Sequence, residues 1–175
     1  GVDPAWLLNH FRHDTLDFDE LTNWLRGVSG HFALVVLTSQ WALAAVDRVR
    51  SIPIAAAQVN GVWTLDGQPA RLAAHAGFSL DAIEPFAALS LAMAGYTVGR
   101  GTLYRPLVVL GPGEVMCFQG GQSQPLRERY YSYRPWRVAS VSTETAATQL
   151  EECTLAVMEQ TLATLDGRPL VVPLS

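Results

Sequence analysis

The side chains in this chain that could do covalent or ligand chemistry are few and scattered. Cys117 and Cys153 are its two thiols. Each lies in an apolar stretch, VMCF and CTLAV, so both read as small buried hydrophobes rather than nucleophiles. His10 and His13 stand three apart, which would bring two imidazoles onto one helix face, with Asp14 and Asp17 close in sequence. A metal needs more ligands than these, and the pattern reads as a solvated polar face. His31 and His75 are isolated and read as residues that make local hydrogen bonds. Asp47, Arg48 and Arg50 could form an anion site, although a carboxylate here more simply accepts backbone N–H bonds within a connection. Arg127, Arg129, Arg134 and Arg137 interleave with Tyr130, Tyr131, Tyr133 and Trp136, a composition suited to stacking on single-stranded nucleic acid. The net charge of −4 argues against that use, and the alternation also fits a strand beside an interdomain surface. The spacing shows neither a Ser-His-Asp order nor a glycosidase-like carboxylate pair.

Composition narrows the class. The 175 residues suffice for one domain with a sizeable core, and 49% apolar against 16% charged residues excludes a disordered chain. All twelve basic residues are arginine, so the chain has no lysine for a Schiff base or a phosphate loop. Reduced core cysteines point to the cytoplasm. No apolar stretch is long enough to span a membrane. The opening GVDPAWLLNH has no basic region ahead of an apolar one and reads as no signal peptide. Gly1 in place of Met and an end at Ser175 read as two cut ends.

These residues must be held by elements that the periodicity predicts. Asp3 and Pro4 read as an N-cap and a first helical residue ahead of AWLLNHF. A second helix is expected over 17–26, with an acidic first turn and Gly27 as its stop. In HFALVVL both alternating sets are apolar, which predicts a strand covered on both faces. Strands are expected over 41–46, 52–57 and 62–65, the last two joined at Asn60-Gly61, the strongest hairpin signal in the chain. A short helix over 69–75, a longer one over 80–94 and an extended connection over 96–113 follow. A late hairpin is expected from 114–118 and 127–133 around Gly120-Gly121. A helix over 143–165 would bury Leu150, Cys153, Val157, Met158, Leu162 and Leu165 and then feed a final strand through Leu170 and Val171. An antiparallel meander with helices outside it, followed by a helix feeding a strand, predicts a domain boundary near 134–142.

Several segments together resemble the asparagine synthetase family. Leu25-Arg26-Gly27-Val28-Ser29-Gly30-His31-Phe32-Ala33-Leu34, then Asp47-Arg48, then Ile52-Pro53-Ile54, are similar to that family's Gly-x-Phe-Ala strand and its Asp-Arg-x-Gly-x-x-Pro-Leu segment. Trp63-Thr64-Leu65 with the helix at 70–74, the turn Leu110-Gly111-Pro112-Gly113-Glu114, and Arg129-Tyr130-Tyr131 resemble later pieces of its amidotransferase domain. Val171-Val172-Pro173-Leu174-Ser175 resembles the strand that runs into a Ser-Gly-Gly-x-Asp-Ser loop, which grips the pyrophosphate of ATP through close backbone N–H groups.

The resemblance implies an α+β fold: a layered α-β-β-α sandwich of N-terminal nucleophile hydrolase type with mostly antiparallel sheets, plus the start of an α/β synthetase domain. Residues 1–134 would be the amidotransferase-like domain and 135–175 the linker, helix and first strand of the synthetase. Asp3 takes the place of the acidic residue that grips the amino group of glutamine, and Leu174 and Ser175 fall to the nucleotide. The implied reaction activates a carboxylate with ATP and Mg²⁺ as an acyl-adenylate, then forms an amide with ammonia from glutamine. Departures limit what this chain can do alone. There is no N-terminal Cys nucleophile and no Asn-Gly-Glu segment, Arg50 stands where the family has Gly, and Ala5 replaces a carboxylate. The chain alone is therefore expected to have no catalytic residue, cofactor or metal of its own. Expected partners are a synthetase domain or subunit, a second copy of the chain, and a small-molecule or peptide substrate. The alternative is a degenerate scaffold or binding domain, as in relatives that close lactams or lasso peptides.

Overall fold

The computed structural model describes residues 17–99, 101–119, 122, 124–134, 136 and 140–171. The chain divides into two units, Gly1–Tyr133 and Arg134–Ser175. The first is a mixed α+β unit with two antiparallel sheets.

Helix α1 (Phe18–Gly27) starts where Asp17 accepts hydrogen bonds from the backbone N–H groups of Asp19 and Glu20, both at 3.0 Å. That satisfies two of the donors left open at a helix start. Leu21, Thr22 and Leu25 form its buried stripe. Strands β1 (Ala33–Leu37) and β2 (Trp41–Val46) form a hairpin in the register Ala33 to Val46. The chain then crosses to the second sheet, so the first four strands are two hairpins in different sheets rather than one meander. Strand β3 (Ala55–Val59) and strand β4 (Val62–Asp66) meet at Asn60-Gly61, with φ of 52° and 78°. Two successive positive φ values are the condition for a tight hairpin turn that matches strand twist. Strand β3 begins three residues later than its pattern predicts, because residues 51–54 close the loop that follows Asp47.

Helix α2 (Pro69–His75) follows β4. The apolar run at 80–94 is two pieces, a 3-10 turn at Leu80–Ala82 and helix α3 (Pro85–Ala94). Pro85 causes the break: a residue before proline is driven out of the helical region, and Glu84 has ψ of 111° and caps Phe86 N–H instead. Within the expected extended connection lie Tyr104, which bridges back to Ile83, and the two-residue strand β5 (Val108–Val109). Strands β6 (Glu114–Gln119) and β7 (Leu126–Arg129) complete the first sheet, whose order is β1-β2-β6-β7. The second sheet has the order β4-β3-β5.

Alternation along β2 sorts the core. Trp41, Leu43 and Ala45 join Leu21 and Leu25 of α1, with Val115 and Cys117 of β6. The opposite set, Ala44 and Val46, meets Ile54, Ala56, Met116, Phe118 and Leu110 between the sheets. On the far side of the second sheet, Ala55 and Ala57 pack with Leu72 of α2 and Leu107. Fully buried alanines on both facing strands let the backbones approach closely. Strand β1 is not covered on both faces as its composition predicts. Leu34 and Val36 pack toward α1, whereas Val35 and Leu37 are 47% and 74% exposed. Strand β1 is the edge of the four-stranded sheet, and its inner face borders an open groove whose other wall is β4.

The second unit contributes helix α4 (Thr143–Leu165), capped by the Ser142 hydroxyl, which accepts from Thr145 N–H at 3.2 Å. Its expected buried stripe is not buried: Leu150, Cys153, Val157, Met158 and Leu162 are exposed. The described residues of this unit include no second element against which the stripe could pack. Leu170 and Val171 form no strand, and the rest of the predicted strand, with Leu174 and Ser175, lies outside the described residues.

Candidate functional site

The Asp47-Arg48 segment sits at the crossing between sheets, and its geometry is that of an organising hub. The Asp47 carboxylate is 1% exposed. It accepts from Phe32 N–H at 3.1 Å, Val49 N–H at 2.9 Å, Ser51 N–H at 3.1 Å and the Ser51 hydroxyl. Burial acts to raise its pKa. The Ser51 hydroxyl and the Val49, Phe32 and Ser51 amides outweigh burial and hold the carboxyl below its ordinary value. Its backbone carbonyl accepts from Arg50 N–H at 3.0 Å and Gly113 N–H at 2.9 Å. Arg48 donates to the Arg26 carbonyl at the end of α1 and lies 5.1 Å from the Tyr131 ring centroid. The Asp47 carboxylate thus closes its own loop through Val49 and Ser51 and ties it to the start of β1 through Phe32, which is the structural role expected for it.

Two neighbours complete the hub. The Tyr130 hydroxyl donates to the Val46 carbonyl at 2.6 Å, and burial, reinforced by the Asp47 charge, pushes the phenol up to about 12. Gly113 has φ of 62°, and a Cβ there would lie 2.7 Å from the Tyr131 carbonyl oxygen, so only glycine fits. Arg50 has φ of 56°, a left-handed conformation at the position where the resembling family carries glycine.

The arginine–tyrosine segment resolves into separate structural roles. Arg127 pairs with the fully buried Glu114 at 3.2 Å and donates to the Val109 carbonyl, tying the first sheet to β5 of the second. Glu114 also accepts from Gly111 N–H at 2.6 Å. Tyr130 is buried, while Arg129, Tyr133, Arg134 and Trp136 are exposed. Arg137 lies outside the described residues.

At the opposite edge, a groove of about 660 Å³ opens between the sheets. Val35, Leu37 and Ala42 line one wall and Trp63 and Leu65 the other, with Phe118 between them. The Trp63 and Phe118 ring centroids lie 5.4 Å apart. Asp66 lies at one end, fixed by two 2.7 Å bonds from Arg71, whose hydrogen bond holds its carboxyl below the ordinary value. Volume and apolar lining suit a bound organic group or side chains. The groove escaped sequence reasoning because its walls come from four strands. A run apolar on both faces at a sheet edge was the available signal, and its composition reads equally well as full burial.

Of the residues singled out in the sequence, Asp3, His10, His13, Asp14, Leu174 and Ser175 lie outside the described residues. Asp17 caps α1. Cys117 is fully buried, and burial pushes its thiol up, away from nucleophilic use. Cys153 is exposed on α4, contrary to the expected core position. His31 and His75 are exposed. Among the described residues no group of three His, Cys, Asp or Glu could hold a metal, and no helix is long and apolar enough to cross a membrane. Compared with models of known protein families and with curated proteins, the chain matches none.

Proposed function

We propose that the chain is the amidotransferase-like part, with the opening of the synthetase part, of an ATP-dependent amide-forming enzyme of the asparagine synthetase type. The observation that carries this reading is the stacking order. Helix α1 lies on one face of the first sheet, the second sheet on its other face, and α2 beyond that. This order supports the α-β-β-α layering that the resemblance implies for an N-terminal nucleophile amidotransferase. The left-handed Arg50 and the close approach at Gly113 support it, since both fall in the two turns that carry the resemblance. In this reading ATP and Mg²⁺ act in the synthetase half, and the described residues form the scaffold of the other half. Carboxylate adenylation and ammonia transfer belong to the complete enzyme.

The test is ATP–pyrophosphate exchange by the native gene product, with L-aspartate and a panel of other carboxylic acids. Exchange that depends on one acid, with AMP as product, is the expected result. A folded native product that exchanges with none, or that yields ADP instead, overturns the proposal. A second reading, a non-catalytic domain that binds a partner, is favoured by the open edge at β1.

A further inference from the structure

Asparagine is a labile residue because its side-chain amide and the next backbone nitrogen can close a five-membered ring. A side chain on the following residue crowds that nitrogen, and glycine has none. The chain holds three asparagines, Asn9, Asn23 and Asn60, and of these Asn60 alone precedes glycine. Both residues of the Asn60-Gly61 turn are exposed, so water reaches the amide. Apart from chain neighbours, no heavy atom lies within 4 Å of the point where a Gly61 Cβ would stand. Among the described residues the Asn60 side chain has no hydrogen-bond partner to hold it away from the backbone. Asn23 is the opposite case. It lies inside α1, its side-chain oxygen accepts from Arg26, and Trp24 follows it.

We propose that Asn60 is a site of spontaneous deamidation in the folded chain. The Gly61 nitrogen attacks the side-chain carbonyl carbon of Asn60 and forms a new C–N bond. The bond to the amide nitrogen breaks, and ammonia leaves carrying the proton of the Gly61 N–H. Water then opens the succinimide. Attack at the side-chain carbonyl gives aspartate, and attack at the main-chain carbonyl gives isoaspartate, in which the backbone runs through the former side chain. Water enters and ammonia leaves, and no other reactant is needed.

The two products affect the hairpin differently. Aspartate keeps the turn, since Asp-Gly suits it as Asn-Gly does, and adds a negative charge to a chain of net charge −4. Isoaspartate lengthens the backbone by a methylene inside a two-residue turn. The register that pairs Val59 with Val62 and Gln58 with Trp63 must then strain or slip. Trp63 packs on Phe118 between the sheets, so the change reaches the core. This inference rests on the hairpin and is independent of the amide-forming reading.

The test incubates the folded 175-residue chain at mildly alkaline pH and digests it with trypsin. The chain has no lysine, so cleavage after arginine places Asn60 in the peptide 51–71 and Asn23 in the peptide 13–26. Replacement of amide by carboxyl at Asn60, as separable aspartyl and isoaspartyl forms, should run at least about tenfold faster than at Asn23. It should speed up with pH, because the attacking nitrogen must lose its proton. Asn60→Asp removes the reacting amide and should abolish the mass gain at that position. The purified isoaspartyl chain should unfold at a lower urea midpoint than Asn60→Asp. An Asn60 that stays intact in the folded chain while the free 51–71 peptide reacts would overturn the proposal. So would reaction that appears only in urea, or equal rates at Asn23 and Asn60. An isoaspartyl chain as stable as Asn60→Asp would overturn the effect on register.

Discussion

A carboxylate that accepts from three donors in its own loop and one at the start of β1 must lose stability when it is protonated. The folded pKa of Asp47 lies below its ordinary value, so its contribution is complete above the unfolded-state pKa, near 4, and is lost as pH falls through the folded value. Acid titration of the melting temperature should show a fall beginning below about pH 4. Asp47→Asn should cost about 2 kcal/mol at pH 7 and flatten that fall, measured by urea unfolding. Arg50 tests the neighbouring turn. A non-glycine residue in the left-handed region costs roughly 1–2 kcal/mol, and glycine returns about 0.5–1 kcal/mol to the unfolded chain's entropy. Arg50→Gly should therefore leave stability unchanged or raise it by up to about 1 kcal/mol, and a loss would show that the Arg50 side chain holds the loop. The structural role of Asp47 was legible in the sequence because a carboxylate in a short polar connection has nearby N–H groups to accept. The burial of Cys117 was legible for a similar local reason, since it sits mid-strand between apolar neighbours. The exposure of Cys153 was not, because a helical stripe states only that a face is apolar and not whether anything meets it.

At the scale of elements, local signals were strongest where the backbone itself demands a residue type. Asn60-Gly61 marks its hairpin, Asp17 its helix start and Gly113 its close approach, and each stands in the conformation that its chemistry favours. Asp17→Ala should remove both cap bonds and cost about 1 kcal/mol, read as a lower urea midpoint with unchanged slope. Gly113→Ala would push a Cβ into the Tyr131 backbone at a positive φ and should cost about 3 kcal/mol, whereas Gly27→Ala, with open space around it, should cost less than about 1 kcal/mol. The helix expected over 80–94 failed at Pro85, whose steric effect on Glu84 outweighs the helical preference of the flanking apolar residues. Strand β1 failed differently. Its composition correctly marked a strand, but coverage depends on how closely the facing sheet approaches, and no local pattern carries that distance.

For the whole molecule, the split of the early strands between two sheets was the largest thing hidden in the sequence. Hairpins announce pairing to a neighbour, but the pairing of β2 with β6 joins residues about seventy positions apart. The same long-range pairing creates the closed side at Glu114–Arg127 and the open side at the groove. The amide-forming reading joins this architecture to the terminal run ending in Leu174-Ser175, where the resemblance places the entry to the nucleotide loop. The measurement that bears on it most directly is the intact mass and end sequences of the native gene product. The account predicts a longer polypeptide that continues past Ser175 as Gly-Gly-x-Asp-Ser, with a processed Cys at its start if glutamine supplies the ammonia. A native product that ends at Ser175, or that continues without that loop, would contradict it.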